Sequence, residues 1–185
     1  MTDSTNVMRF INHIEKRLGE PSESWKESGS QVYVNKYSEQ PQGDLVTFLT
    51  IGLSGHDLKQ ESGSKIRQEL MITVSNNFEK LPIEDLLFVV AKDVLSAHQP
   101  LQRGQVITRS GTLLDGITCS ALFCTVPGYF EPSFTTLPGL DGIETVLVDL
   151  VPITTDEESL IEADGATNFE NLLDDGRIPI FDLAR

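Results

Sequence analysis

The chain has 185 residues, 39% of them hydrophobic and 23% charged, which is ordinary for one soluble domain with a core of its own. Its 28 acidic residues against 14 basic ones give a formal net charge of −14, which opposes binding to nucleic acid and to an anionic membrane surface. No apolar run is long enough to span a bilayer, MTDSTN at the start lacks a signal-like apolar core, and only two cysteines are present, so a reducing cytoplasm is the expected home.

In chain order, Val7, Phe10, Ile11, Ile14 and Leu18 recur at helical spacing and predict a helix over residues 6–18, with Asn6 as its cap and His13 on its surface. Residues 20–30 lose periodicity among Pro, Ser and Gly and read as a loop, in which Trp25 either folds back on the core or stands out as a contact aromatic. Alternation around Val32 and Val34 gives a first strand, Gln40-Pro41-Gln42-Gly43 a turn, and Asp44–Leu53 a second strand. The chain bends at Gly52–His56, passes a hairpin or loop over 57–65, and enters a third strand at Arg67–Val74. Short connections favour antiparallel pairing of the three. Pro82 opens a second helix at a first-turn position, and Ile83, Leu86, Leu87, Val90, Val94 and Leu95 form its broad apolar face.

Gly104–Ile107 reads as a short strand and Cys119–Val126 as a longer one. The spacing of Cys119 and Cys124 puts them on opposite faces of that strand as small buried hydrophobes. Loop 127–142 carries Tyr129, Phe130 and Phe134, and is either a binding surface or the cover of a sheet edge. From Glu144 to Val151 both faces are apolar, as in a strand covered on both sides, and Pro152 should take it out of the sheet or to an edge. Thr155-Asp156-Glu157-Glu158 has capping-box spacing, and Thr167–Glu170 repeats it. Gly165 and Gly176 would stop the two helices, and Ile178, Ile180 and Phe181 would dock the tail. The expected product is a single α+β domain spanning 1–185: a mixed, mainly antiparallel sheet with helices packed on it, with an N-terminal helix and loop over 1–30 and an acidic strand–helix unit over 141–185.

Chemistry is sparse. There is no Walker loop, GxGxxG turn, HExxH helix, GxSxG elbow or CxxC pair, and no cofactor or metal motif. Ser54 and His56 sit two residues apart at a strand end, a spacing better suited to a turn than to a catalytic dyad. Glu69 and Asp149 lie inside apolar strands, where a carboxylate either acts as an acid or base, or points to solvent or to an arginine such as Arg67 or Arg109. Residues 141–185 carry twelve acids against Arg177 and Arg185, so a net −10 is concentrated there. Asp156, Glu157, Glu158 and Glu162 lack the alternating ligands and central glycine of an EF-hand loop, so calcium is not indicated. The candidate contact residues are therefore Asp156, Glu157, Glu158, Glu162, Asp164, Glu170, Asp174 and Asp175, with the aromatics Tyr129 and Phe130. Such a face either receives a basic protein partner or only keeps the domain soluble.

Three stretches in order carry a resemblance. Thr50-Ile-Gly-Leu-Ser54 leads to Arg67-Gln-Glu-Leu70; Leu81-Pro-Ile-Glu84 opens the helix to Leu95; and Leu150-Val-Pro-Ile-Thr-Thr-Asp-Glu-Glu158 precedes Gly165 and Leu172-Leu173. Together they resemble the Suppressor of fused domain family over most of the chain from about Val32 on. That resemblance implies a non-catalytic binding domain. Animal members are larger and hold a transcription factor in the cytoplasm in Hedgehog signalling. Short bacterial members resemble immunity proteins that bind and block a cognate toxin, often a nuclease, and a single-domain chain fits that branch better. The alternatives are a regulator that takes a peptide by strand addition to a sheet edge, and a hydrolase-like enzyme built on Glu69 or Asp149 with His56.

Overall fold

The computed structural model describes residues 4–185, so Met1–Asp3 of the polar N-terminal segment lie outside the described residues. Among the described residues nine strands form one sheet: β1 (Glu23–Lys26), β2 (Tyr33–Ser38), β3 (Leu45–Ile51), β4 (Leu58–Lys59), β5 (Lys65–Ser75), β6 (Val106–Thr108), β7 (Ala121–Thr125), β8 (Thr136–Leu137) and β9 (Thr145–Ile153). Their order is β1-β2-β3-β5-β9-β7-β6, with β4 on β5 and β8 on β9. Every pairing is antiparallel except β5 with β9. The expected mixed, mainly antiparallel α+β sheet is the observed one. The helices are α1 (Ser4–Leu18), α2 (Ile83–Ala97), the single turn α3 (Pro132–Thr135), α4 (Thr155–Asp164) and α5 (Ala166–Asp174).

One sheet face is covered by α2: Ile83, Leu87, Val90 and Val94 pack on Val34, Phe48, Leu70, Ile72, Leu122 and Leu150. The opposite face is covered in two separate pieces. Phe10, Ile14 and Leu18 of α1 join Phe130 and Phe134 over Leu49, Ile51, Met71 and Leu147. Ile161 of α4 and Phe169 of α5 lie over Ala121, Phe123, Val151 and Ile153, with Phe123 and Phe169 edge to face at 5.0 Å. Strand alternation puts Leu147, Asp149 and Val151 on one face, so the break between the two pieces falls at Asp149.

Several local expectations need correction. Part of the expected 20–30 loop is edge strand β1, which charged side chains hid; Trp25 within it stacks on Phe48 at 6.1 Å, the packing role. Asn6 lies inside α1 and is buried, because the helix starts at Ser4. Pro82 is the cap before α2 and not its first residue. Cys119 and Cys124 belong to the same α2-side cluster, since the strand becomes regular only at Ala121; burial pushes the thiols up to about 11 and about 12. Pro152 stays within β9, where β5 has already ended its pairing at Asp149 and only β7 remains alongside.

The caps also differ. Thr154, one residue before the expected Thr155, caps α4: its Oγ1 accepts from Glu157 N at 3.3 Å, and Glu157 accepts from Thr154 N at 2.9 Å. Both threonines have a glutamate three residues on, and the pair that wins places Glu157 against Arg185, at 2.8 and 2.9 Å. Thr167 caps nothing; Gly165, with φ of 87°, ends α4 and precedes α5. Gly176 closes α5, and the tail docks: Phe181 O accepts from Ser75 N, Leu183 O accepts from Thr118 N, and Leu183 is fully buried. Replacing Thr154 by Ala should destabilise the domain by about 1 kcal/mol, while Thr167→Ala should change it by less than about 0.5 kcal/mol. Urea unfolding of the two variants checks the assignment, and equal losses would refute it.

Candidate functional site

Glu69 is fully buried on β5, and its carboxylate accepts four hydrogen bonds: from Thr50 Oγ1 (2.6 Å), Gly52 N (2.8 Å), Ser54 N (2.9 Å) and Ser54 Oγ (2.7 Å). Thr50 Oγ1 in turn accepts from Leu70 N at 2.8 Å, just past the point where β3–β5 pairing stops. Gly52, at φ of 109°, turns the chain so that its own N–H and that of Ser54 converge on one carboxylate oxygen. A Cβ there would lie 2.5 Å from the Gln31 carbonyl oxygen, so no other residue fits without backbone movement. Burial pushes Glu69 up to about 7 against the downward pull of its donors.

Neither solvent nor an arginine meets Glu69, contrary to expectation. Arg67 is held instead by Asp57 (2.9 Å) and by both oxygens of Asp141 (3.0 and 2.6 Å), and Arg109 lies 3.4 Å from Asp93. Ser54 is completely buried with its hydroxyl committed to Glu69, so it presents no accessible nucleophile beside His56. This group of residues holds the fold.

Asp149 contrasts with it. It is 3% exposed in the middle of β9, opposite Met71 and Thr125 in register. The polar group facing it is the Tyr129 phenol, whose buried hydroxyl is aligned with neither Asp149 nor Thr73 for a hydrogen bond of ordinary geometry. Burial pushes Asp149 up to about 7 and the Tyr129 phenol well above its usual range. Asp149 forms the floor of an open cleft of about 620 Å³ at the break between the two covered pieces of the sheet. The loop after β7 (Val126, Gly128, Tyr129), α5 (Glu170, Leu173, Asp174) and the tail (Ile178, Pro179, Ile180, Phe181) wall it, with Arg103 at the rim. Glu170 accepts from Arg103 Nε and from Thr125 Oγ1, each at 2.7 Å, whereas Asp174 is exposed. Phe181 meets Tyr129 edge to face at 5.2 Å.

Of the residues singled out from sequence, the fold brings Asp149, Tyr129, Glu170 and Asp174 together at this cleft. Asp156, Glu162, Asp164 and Asp175 are exposed elsewhere on or next to α4 and α5, and Glu158 is half-buried. Glu157 is engaged by the cap and by Arg185. Phe130 is 6% exposed and packs on Phe134 at 4.5 Å under α1, so it offers no contact surface. His13 stacks on Phe134 and its Nε2 lies 2.9 Å from Phe134 O, which fixes α1 to that loop. Sequence reasoning missed Arg103, Thr125, Ile178 and Phe181 as neighbours; the one local signal was a lone carboxylate in the apolar run Val146–Val151. Among the described residues no three His, Cys, Asp or Glu side chains are grouped to hold a metal ion.

A family model described as Suppressor of fused protein (SUFU) matches residues 29–185. The chain belongs to the suppressor of fused family. It is similar to the Immunity protein YqcF of Bacillus subtilis (strain 168), at 22% identity over 157 residues covering 84% of this chain and 81% of that protein. A crystallised SUFU homolog from Neisseria gonorrhoeae FA 1090 superposes with a TM-score of 0.72 at 14% identity, covering 99% of this chain and 96% of that one. A chain of a Sufu–Fu complex gives a TM-score of 0.68 at 14% identity, covering 93% and 84%. Drosophila Suppressor of Fused gives 0.62 at 14% identity, covering 88% of this chain and 45% of the fly chain. In this suppressor of fused domain, the Gly-Leu-Ser strand end and the Glu-Leu strand have a physical meaning: they supply the donors and the acceptor of the Glu69 group.

Burial raises both carboxylates to about 7, so the pH linkage has the same sign for each; they differ in what a replacing amide would meet, four donors at Glu69 and no such set at Asp149. Asp149 titrates near 7 in the folded chain and near 3.8 when unfolded, so the folded state holds the extra proton and stability falls as pH rises between those values. Asp149→Asn should therefore raise the unfolding free energy at about pH 8 by on the order of 2 kcal/mol and change it little at about pH 4. Glu69→Gln places an amide among donors and should destabilise by about 2 kcal/mol or more, and Gly52→Ala by a similar amount. Denaturant melts at both pH values check this; a destabilised Asp149→Asn at high pH would contradict the description of Asp149 as poorly compensated.

Proposed function

We propose that this chain is a binding protein of the immunity type, which covers a cognate bacterial toxin and blocks it stoichiometrically without covalent chemistry. The observation that carries the reading is the open, carboxylate-bearing cleft with apolar walls, set beside the acidic outer faces of α4 and α5. Asp149, Glu170 and Asp174 face a single arginine there, and Asp156, Glu162, Asp164 and Asp175 extend the negative field outward. Such a surface suits a basic protein face, for example that of a nuclease toxin shaped to hold an anionic substrate, and it speeds encounter by long-range attraction. Support comes from two relatives: YqcF is named an immunity protein, and a suppressor of fused chain is crystallised in a complex with Fu. A cytoplasmic site of action belongs to the same proposal.

One observation favours a second reading. Asp149, buried in a cleft and titrating near 7, has the properties of a general acid or base. Against it, no His, Ser or Cys lines the cleft, and the Thr125 hydroxyl is committed to Glu170.

Purified chain mixed with the toxin encoded beside it should form a one-to-one complex that abolishes toxin activity. Reversing Glu162, Asp164 and Asp175 to lysine should lower the association rate by about tenfold and leave the melting temperature unchanged. Stopped-flow association across a salt series measures this. A rate indifferent to salt would remove the charge mechanism, and inactivation of toxin by substoichiometric chain would replace binding with catalysis.

A further inference from the structure

Building on the binding reading above, we propose that the cleft admits the guanidinium group of an arginine side chain presented by the partner protein, with Asp149 as its counter-ion. A carboxylate buried inside an apolar strand is costly unless it is paired and hydrogen-bonded. Glu69 shows how this fold compensates such a group, with four donors; Asp149 has no such set, and the Tyr129 hydroxyl beside it is also without a partner of ordinary geometry. The arginine that lines the cleft, Arg103, is already bound to Glu170 at 2.7 Å. Among the described residues no cation is free to pair with Asp149 across the cleft, and the cleft is open to receive one from outside.

The walls select the kind of cation. Val151 and Ile178 offer aliphatic surface for a long stem, and the Tyr129 and Phe181 rings line the same cleft. A guanidinium is planar, weakly hydrated and stacks on aromatic rings while its forked N–H groups bind a carboxylate; an ammonium is compact and strongly hydrated. Asp174 at the mouth draws any cation inward.

The test is an NMR titration of the isotope-labelled full chain with N-acetyl-arginine methylamide, beside its neutral isostere N-acetyl-citrulline methylamide and N-acetyl-lysine methylamide. The arginine compound should give saturable shifts at Thr125, Tyr129, Asp149 and Phe181, at least about tenfold tighter than citrulline and several-fold tighter than lysine. Asp149→Asn, expected to fold, should lose the arginine response by about tenfold. Equal binding of arginine and citrulline, shifts outside the cleft, or an unaltered Asp149→Asn response would overturn the proposal, and lysine equal to arginine would overturn the choice of guanidinium. The toxin complex separates the two readings. If toxin binds with unchanged affinity to Asp149→Asn, the arginine assignment fails while the immunity reading stands. If the small probe binds in the cleft but no toxin does, the site stands and the immunity reading fails.

Discussion

The Glu69 carboxylate holds the domain together at its busiest point. β5 is the antiparallel neighbour of β3 and the parallel neighbour of β9, and Glu69 ties it to the chain leaving β3 through four donors. A buried carboxylate that loses one of four donors is left undersatisfied, so the set resists partial opening. The short turn Leu53–Gly55 is fully buried as a result, and α1 rests against it. Arg67, two residues earlier on the same strand, uses the reverse arrangement: one buried cation clasped by Asp57 and Asp141, which pins the segment preceding β9.

Set against that clasp, Asp149 shows what an uncompensated charge on the neighbouring strand looks like. Both carboxylates are buried, and burial raises both, yet one is saturated with donors and the other has no donor set, with the Tyr129 phenol beside it. The residues two positions to either side on the same face, Leu147 and Val151, are buried and apolar. The departure from local consistency coincides with the open cleft, and such departures cluster where proteins act.

Much of the architecture was legible because its signals are local. The apolar face of α2, the two-sided β9 and the glycine stops at Gly165 and Gly176 depend on spacing or on a backbone angle that one residue type tolerates. Strand β1 was not legible, because ESWK alternates nothing and becomes a strand only by pairing with β2. The cap at Thr154 was displaced by one position because two equivalent spacings overlap, and the glutamate of the observed pair is the one that meets Arg185, nearly thirty residues downstream. The cleft is assembled from the loop after β7, α5 and the tail, which no local pattern connects. Composition located the acidic region correctly but could not sort its members: Glu157 braces a helix start, Glu170 is clamped by Arg103 and Thr125, and Asp174 is left open.

The unit of α4 and α5 stands on a small cluster of its own, Phe169 and Ile161 over Phe123 and Val151, apart from the large core beneath α2. Outward positions on α5 can therefore be rewritten while Phe169 stays in place and the main core is untouched. Surface substitutions there can alter what the scaffold presents to other molecules, and such drift need not drag folding along with it.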